Sequence, residues 1–146
     1  MARPLKVRSF GLKIAENSID IGAIAASALK AEQARMRVIA ENIANSDSTA
    51  STPGGDPYRR QIPIFTPTEG GGVEMRGVRM DNAPFGREYK PGNPAADKSG
   101  YVLLPNVNGL VEGLDMKMAM RAYEANLNVI ENQDAMDKRT LDIIKR

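Results

Sequence analysis

Apolar residues recur every three or four positions from about Ile19 to Asn45. Ala25, Leu29, Met36, Ile39, Ala40 and Ile43 fall on one face, and Ile24, Ala28, Ala31 and Val38 on an adjoining one. This spacing predicts a helix, because 3.6 residues per turn bring such positions to one side. Glu32, Arg35, Arg37 and Glu41 occupy what is left of the circumference. Alanine is frequent on the apolar sides, which lets another helix approach closely. The pattern describes a helix that is surrounded by neighbours.

A second helical pattern runs from about Val111 to Ile144. It steps four, three, four, three through Met116, Met120, Tyr123, Leu127 and Ile130, then resumes at Leu141 and Ile144. That is a heptad seam. Asp134 and Asp137 stand at the intervening seam positions. Unpaired carboxylates are costly to bury, so the seam is expected to open to water there or to meet basic side chains. A second stripe, Met118, Ala122, Ala125, Val129, Met136, Thr140 and Ile143, runs beside the first. At 1.5 Å per residue the helix is a rod about 50 Å long, with more apolar surface than one partner covers.

Between the helices lie eight of the nine prolines and ten of the thirteen glycines, all from Asp47 to Gly109. A helix interior loses about 1 kcal/mol per Gly and about 3 kcal/mol per Pro, so this middle is not long helix. Tyr58–Phe65, Val73–Met80 and Tyr101–Leu104 have the composition of short strands. They are bounded by Pro53-Gly54-Gly55, Gly70-Gly71-Gly72 and Pro91-Gly92-Asn93-Pro94. The predicted class is α+β: long N- and C-terminal helices packing as an antiparallel coiled-coil-like pair, with a small β-hairpin, loop-rich insert protruding from one end. The insert core is expected to be mostly Tyr58, Phe65, Phe85, Tyr89 and Tyr101. Residues 1–18 are expected to be a flexible N-terminal extension, 19–46 and 110–146 a discontinuous helical core, and 47–109 the Gly/Pro-rich β insert.

Composition narrows the function. The 146 residues include no Cys and no His, which removes disulfides, zinc sites and Ser-His-Asp triads. Trp is absent and aromatics are 5%, a poor supply for a small-molecule pocket. The net charge of +2 is too small for the field of a dedicated nucleic-acid binder. Arg3, Lys6, Arg8 and Lys13 break up the N-terminal stretch, which has no apolar core of a cleaved signal peptide. No segment reaches the roughly 20 apolar residues that cross a bilayer, so no direct membrane insertion is expected.

Other candidate motifs have ordinary explanations. Gly70-Gly71-Gly72 lacks the Lys-Ser/Thr and the following helix of a phosphate loop, and is a turn. The carboxylate pairs Glu112/Asp115 and Asp134/Asp137 are spaced as a solvated or salt-bridged helix face. Arg59, Arg60, Arg76, Arg79, Arg87 and Lys90, interleaved with Tyr58, Phe65, Phe85 and Tyr89, form the one stretch suited to single-stranded nucleic acid. Ordinary exposed strand faces account for it better, and the near-neutral chain as a whole supports that. Asn45 is suited to end the first helix in the left-handed conformation, with Ser46, Asp47 and Ser48 supplying turn hydrogen bonds. Asn42, in the last helical turn, is placed to bond backbone or a neighbouring chain.

The stretch Met36 to Asn45, with the signature Asn42-Ile43-Ala44-Asn45, resembles the N-terminal motif of the bacterial flagellar rod and hook proteins. Further motifs are similar to the proximal-rod FlgC family within them. They are Asp47-Ser48-Thr49, Pro57-Tyr58-Arg59-Arg60, Tyr89 to Asp97 with its Pro91-Gly92-Asn93-Pro94, Gly100-Tyr101-Val102 and Pro105-Asn106-Val107. Arg121 to Asn126 and Thr140 to Ile143 resemble that family's C-terminal helix. The likeness covers roughly Ile19 to Arg146. Residues 1–18 exceed the family's usual start, and Glu112-Gly113-Leu114 departs from its pattern; Gly113 weakens the helix by about 1 kcal/mol relative to Ala.

The resemblance implies a non-enzymatic subunit of the basal-body rod, without cofactors or metals. It would be made in the cytoplasm, exported by the flagellar type III apparatus without a cleaved signal, and polymerised across the periplasm to transmit torque. Its partners would be copies of itself, the proximal and distal rod subunits and the adaptor at the rod base, with no nucleic acid. Leu29, Met36, Ile39, Ile43, Met120, Tyr123, Leu127 and Ile130 are the expected inter-subunit packing residues. The rival function is a helical-hairpin adaptor or nucleic-acid-binding module using the Arg-rich insert.

Overall fold

The computed structural model describes residues 20–145; the extension expected over 1–18 lies outside them. The element order is α1 (Ile21–Ala44), β1 (Gln61–Pro67), β2 (Val73–Met80), β3 (Gly86–Tyr89), β4 (Tyr101–Leu104) and α2 (Gly109–Ile144). The fold is α+β, as the punctuation predicts.

Asp20 caps α1, its carboxylate accepting from the Ala23 N–H at 3.0 Å. The helix ends at Asn45 with φ −105°, so the left-handed ending expected there does not occur. The Asn45 side-chain amide donates to the Glu41 carbonyl at 2.8 Å and its backbone N–H also turns back to the last carbonyls, so no left-handed residue is needed. The hydroxyls of Ser46 and Ser48 donate to Ile43 and Asn45 carbonyls, each at 2.9 Å. Asn108 caps α2 by accepting from Leu110 and Val111 N–H groups, which starts the helix at Gly109, two residues before the apolar pattern begins.

The helices pack antiparallel. Asn42 near the end of α1 meets Glu112 near the start of α2, and Gln33 of α1 meets Tyr123 further along. Close approach is possible because the buried residues are small: Ala25, Ala31 and Ala119, joined by Val38 and Ile39. Helix α1 has 24 residues and α2 has 36. At about 1.5 Å per residue the pairing runs out near Asp134, and the last turns of α2 overhang the first residue of α1.

The expected seam of α2 divides between two directions. Met116, Tyr123 and Ile130 are half-buried, but Met120 and Leu127 are exposed. Ala119, absent from the expected seam, is fully buried, and its small side chain suits a close helix approach. Asp134 and Asp137 lie in water, as their charge requires.

Strands β1 and β2 form one antiparallel hairpin, and β3 and β4 another. The first strand begins three residues later than Tyr58, and β3 was not anticipated from its pattern. The β1–β2 register slips between Ile64 and Phe65, leaving Arg76 as a bulge. Gly70 and Gly71, at φ 97° and 89°, make the tight turn at its tip.

The insert does not simply protrude from the end of the helical pair. Its first hairpin folds back along α1: Asn42 holds Gln61 at its base, and the Val73 N–H donates to Ser27 Oγ at 3.0 Å near its tip. Nor is the insert core aromatic. Tyr89 and Tyr101 stack edge to face on the outside, 5.2 Å between ring centres, and Phe65 is exposed. The buried positions are Pro57, Ala95, Val102 and Pro105. Rings on two-stranded ribbons have no second layer to cover them.

Candidate functional site

The most elaborate polar arrangement in the chain joins three elements: the last turn of α1, the entry to β1 and the first turn of α2. At its centre is Asn42, 1% exposed. Its Nδ2 donates to the Gln61 carbonyl at 2.9 Å and to Glu112 Oε2 at 3.0 Å. Its Oδ1 accepts from the Tyr58 hydroxyl and from the Gln61 N–H, each at 2.9 Å. An asparagine amide has two hydrogens and two lone pairs, and all four are used. Towards Gln61 the side chain behaves as a short strand would, pairing both backbone groups of one residue.

Glu112 is also 1% exposed, and its burial is compensated. Besides Asn42 it accepts from Arg60 Nε at 2.6 Å. Arg60 lies 3.6 Å from Asp81 and 3.5 Å from Asp115 through its other nitrogens. Partial burial works against the charged guanidinium, but the hydrogen bond and charge of Glu112, with the charges of Asp81 and Asp115, outweigh it and raise its pKa. The position of Glu112 in the first turn of α2 adds a favourable interaction with the helix dipole. The Tyr58 hydroxyl is pushed above its ordinary pKa, first by burial and then by the charges of Glu41 and Glu112, so it stays a donor to Asn42.

Asn106 completes the joint. Its Oδ1 accepts from the Arg60 N–H at 2.7 Å, while its Nδ2 donates to the Asp81 and Ala83 carbonyls, each at 3.1 Å. A cleft of about 240 Å³ beside the joint is lined by Arg35, Asn42, Arg60, Glu112 and Asp115. Opposite charges there neutralise one another, and no group of residues suited to holding a metal ion occurs among the described residues.

The insert motif is split. Pro57 is buried and Tyr58 and Arg60 enter the joint. Arg59 donates to the Asp81 and Ala83 carbonyls at 3.0 and 3.1 Å and lies 4.0 Å over the Phe85 ring. Pro91, Gly92, Asn93 and Pro94 build the β3–β4 loop instead, where Asn93 Oδ1 accepts from the Ala95 N–H at 2.9 Å. Asp97 closes that loop; the Tyr101 N–H donating to its carboxylate leads the interactions that hold its pKa below the usual range. Arg87 lies over the Tyr101 ring at 4.9 Å and 3.6 Å from Asp97. Arg59, Arg60 and Arg87 are therefore engaged within the chain, while Arg76 and Arg79 are exposed on β2, so at least half of the six cations named for an Arg-rich nucleic-acid surface are already partnered.

Of the residues named for packing, Ile39 is 3% exposed within the chain itself, and Leu29, Met36, Tyr123 and Ile130 are half-buried. Ile43, Met120 and Leu127 face water. Of the signature, Asn42 is inside the joint, Ile43 and Ala44 are exposed, and Asn45 caps the helix. Glu112 and Asn106 were missed as partners of Asn42 and Arg60, because their contacts span 70 and 46 residues of sequence.

The model of the flagella basal body rod protein family matches residues 23–50, the part of the chain that carries Asn42. That of the flagellar basal body rod FlgEFG protein C-terminal matches residues 98–143, which include Asn106 and Glu112. The flagellar basal-body rod protein FlgC of Agrobacterium fabrum is 46% identical over 127 residues, covering 84% of this chain and 91% of its own length. The chain belongs to the FlgC family.

FlgC of Salmonella typhimurium is 39% identical over 86% of this chain and 96% of its own, and FlgC of Aquifex aeolicus 36% identical over 88% and 96%. FlgC-family proteins are structural parts of the flagellar basal-body rod rather than enzymes. The joint in this FlgC-family chain ties the helical pair to the first hairpin through hydrogen bonds that use every donor and acceptor of the Asn42 amide.

Proposed function

We propose that this chain is a structural subunit of the proximal segment of the flagellar rod. It is exported by the flagellar type III apparatus and polymerised in the periplasm with copies of itself, other rod subunits and the adaptor at the rod base. The observation that carries this reading is the 46% identity to a basal-body rod protein over 84% of the chain. The large apolar side chains exposed along α2, among them Met118, Met120, Leu127, Val129 and Met136, support it. Such surface suits a subunit packed on several sides and is costly in a monomer. Ile43, Met120 and Leu127 supply the outward part of that packing, with Leu29, Met36, Tyr123 and Ile130 at its margins.

Torque passing through such a subunit would load the angle between its parts. The Asn42–Arg60–Glu112 joint resists that load because bending it would strand buried polar groups, each costing about 1–3 kcal/mol. Deleting the gene from the parent cells should abolish swimming in soft agar and leave basal bodies that lack a rod. A deletion strain that swims normally would overturn the reading.

A further inference from the structure

Helix α1 and the first hairpin enclose a groove that nothing in the described chain fills. It has a volume of about 570 Å³. Ala23, Ala26 and Ala34 line its floor, Val73 and Met75 contribute the hairpin wall, and Lys30 and Glu74 stand among its lining residues on opposite elements. The hairpin is fastened to Asn42 at its base and to Ser27 near its tip, which fixes its position against α1. A methyl group added at Gly72 would come within 2.6 Å of Ser27 Oγ, so the tip sits directly against α1. The alanine floor admits an apolar helix at short interaxial distance.

A ridge of matching character lies on another face of the same chain. Val129, Met136 and Ile143 are aligned at seven-residue spacing on α2 and are 40%, 54% and 76% exposed. Its outer part belongs to the turns of α2 that overhang α1, so among the described residues no helix lies beside it. The ridge from Val129 to Ile143 is about 21 Å long, and the groove floor from Ala23 to Ala34 about 17 Å. Helical geometry puts Arg139 on one side of the Met136 line and Asp137 on the other, which suits Glu74 and Lys30 on the two walls.

We propose that the groove of one copy receives the C-terminal turns of α2, Val129 to Ile143, from a second copy. This deepens the rod reading and rests on it. Groove and ridge are different surfaces of one chain, so the contact is heterologous and can repeat from copy to copy, as an open helix where the rotation does not close. A rod requires that kind of contact.

The absence of cysteine makes the test direct. Ala26→Cys and Met136→Cys variants, carrying different tags, are co-expressed in the parent cells; basal bodies are isolated and oxidised. The expected result is a disulfide-linked species at twice the 15.9 kDa chain mass that carries both tags. Pairing Ala26→Cys with Tyr89→Cys, on the second hairpin, should give none. Both variants recovered in basal bodies without the mixed-tag species, or with as much of it from the control pair, overturns the groove contact and leaves the rod reading standing. If unsubstituted chain is itself missing from basal bodies, the rod reading fails and the contact with it. As a second variant, Ala26→Trp fills the groove and should lose incorporation while the purified chain keeps its helical circular dichroism. Normal incorporation of Ala26→Trp also counts against the contact.

Discussion

Asn42 makes four hydrogen bonds with one small side chain, so its replacement by a near-isostere is informative. Asn42→Asp keeps the shape but loses both donors and sets a carboxylate against Glu112, 3.0 Å away in the native joint. Stability should fall by about 2–4 kcal/mol, read as a lower urea midpoint. A midpoint within error of the native chain would mean the joint does not hold the fold. Tyr58 gives the joint a pH limit. Its folded pKa is raised, so its contribution is fully present below the unfolded value of about 10 and is lost as pH rises through the folded one. The chain should therefore unfold more readily at strongly alkaline pH. Tyr58→Phe should be less stable at neutral pH by about 1–2 kcal/mol and should show a shallower alkaline decline in the same urea titration. At this scale the sequence was partly legible: Asn42, Tyr58 and Arg60 stand out as motif residues, and Glu112/Asp115 as a salt-bridged face. What could not be read was that they meet, since motif spacing carries no information about contacts between distant segments.

Among the elements, periodicity located both helices and the β2 and β4 strands, because each has an apolar repeat or a glycine and proline boundary. It did not find Gly86–Tyr89, whose four residues are all exposed and leave no alternation to detect. It also merged two faces of α2. A four-three pattern selects the apolar residues without saying which of them meet α1, and alanine at 119 carries too little hydrophobicity to announce itself as a buried position. The outward direction of Leu127, 39% exposed, makes a test of the element possible. Leu127→Asp should leave the monomer fold and its export intact, because the side chain contributes little to the internal pair. It should block incorporation into basal bodies, because the charge would be buried unpaired against a neighbour. Rods that assemble at normal efficiency with Leu127→Asp would remove α2 from the interface.

At the scale of the whole molecule, the chain buries few large apolar residues and exposes many. Alanines carry much of its internal packing, while Leu110, Met118, Ile143 and Ile144 are each at least 60% exposed. Such a distribution suits a chain surrounded by neighbours, and FlgC-family membership supplies the setting in which neighbours exist. The fold-back of the first hairpin along α1 was not legible in advance, since it depends on the polar joint and on Ser27. That same fold-back turns a simple helical pair into a three-layered body with a groove on one side and a ridge on another.

A chain with these surfaces and this family membership should be built into the rod. Basal bodies isolated from the parent cells, and the same fraction from a strain lacking the flagellar export apparatus, should be compared by mass spectrometry. Peptides of this chain should appear in the rod fraction only when export works. Clean basal bodies without the chain, with the protein retained in the cytoplasm of exporting cells, would contradict it.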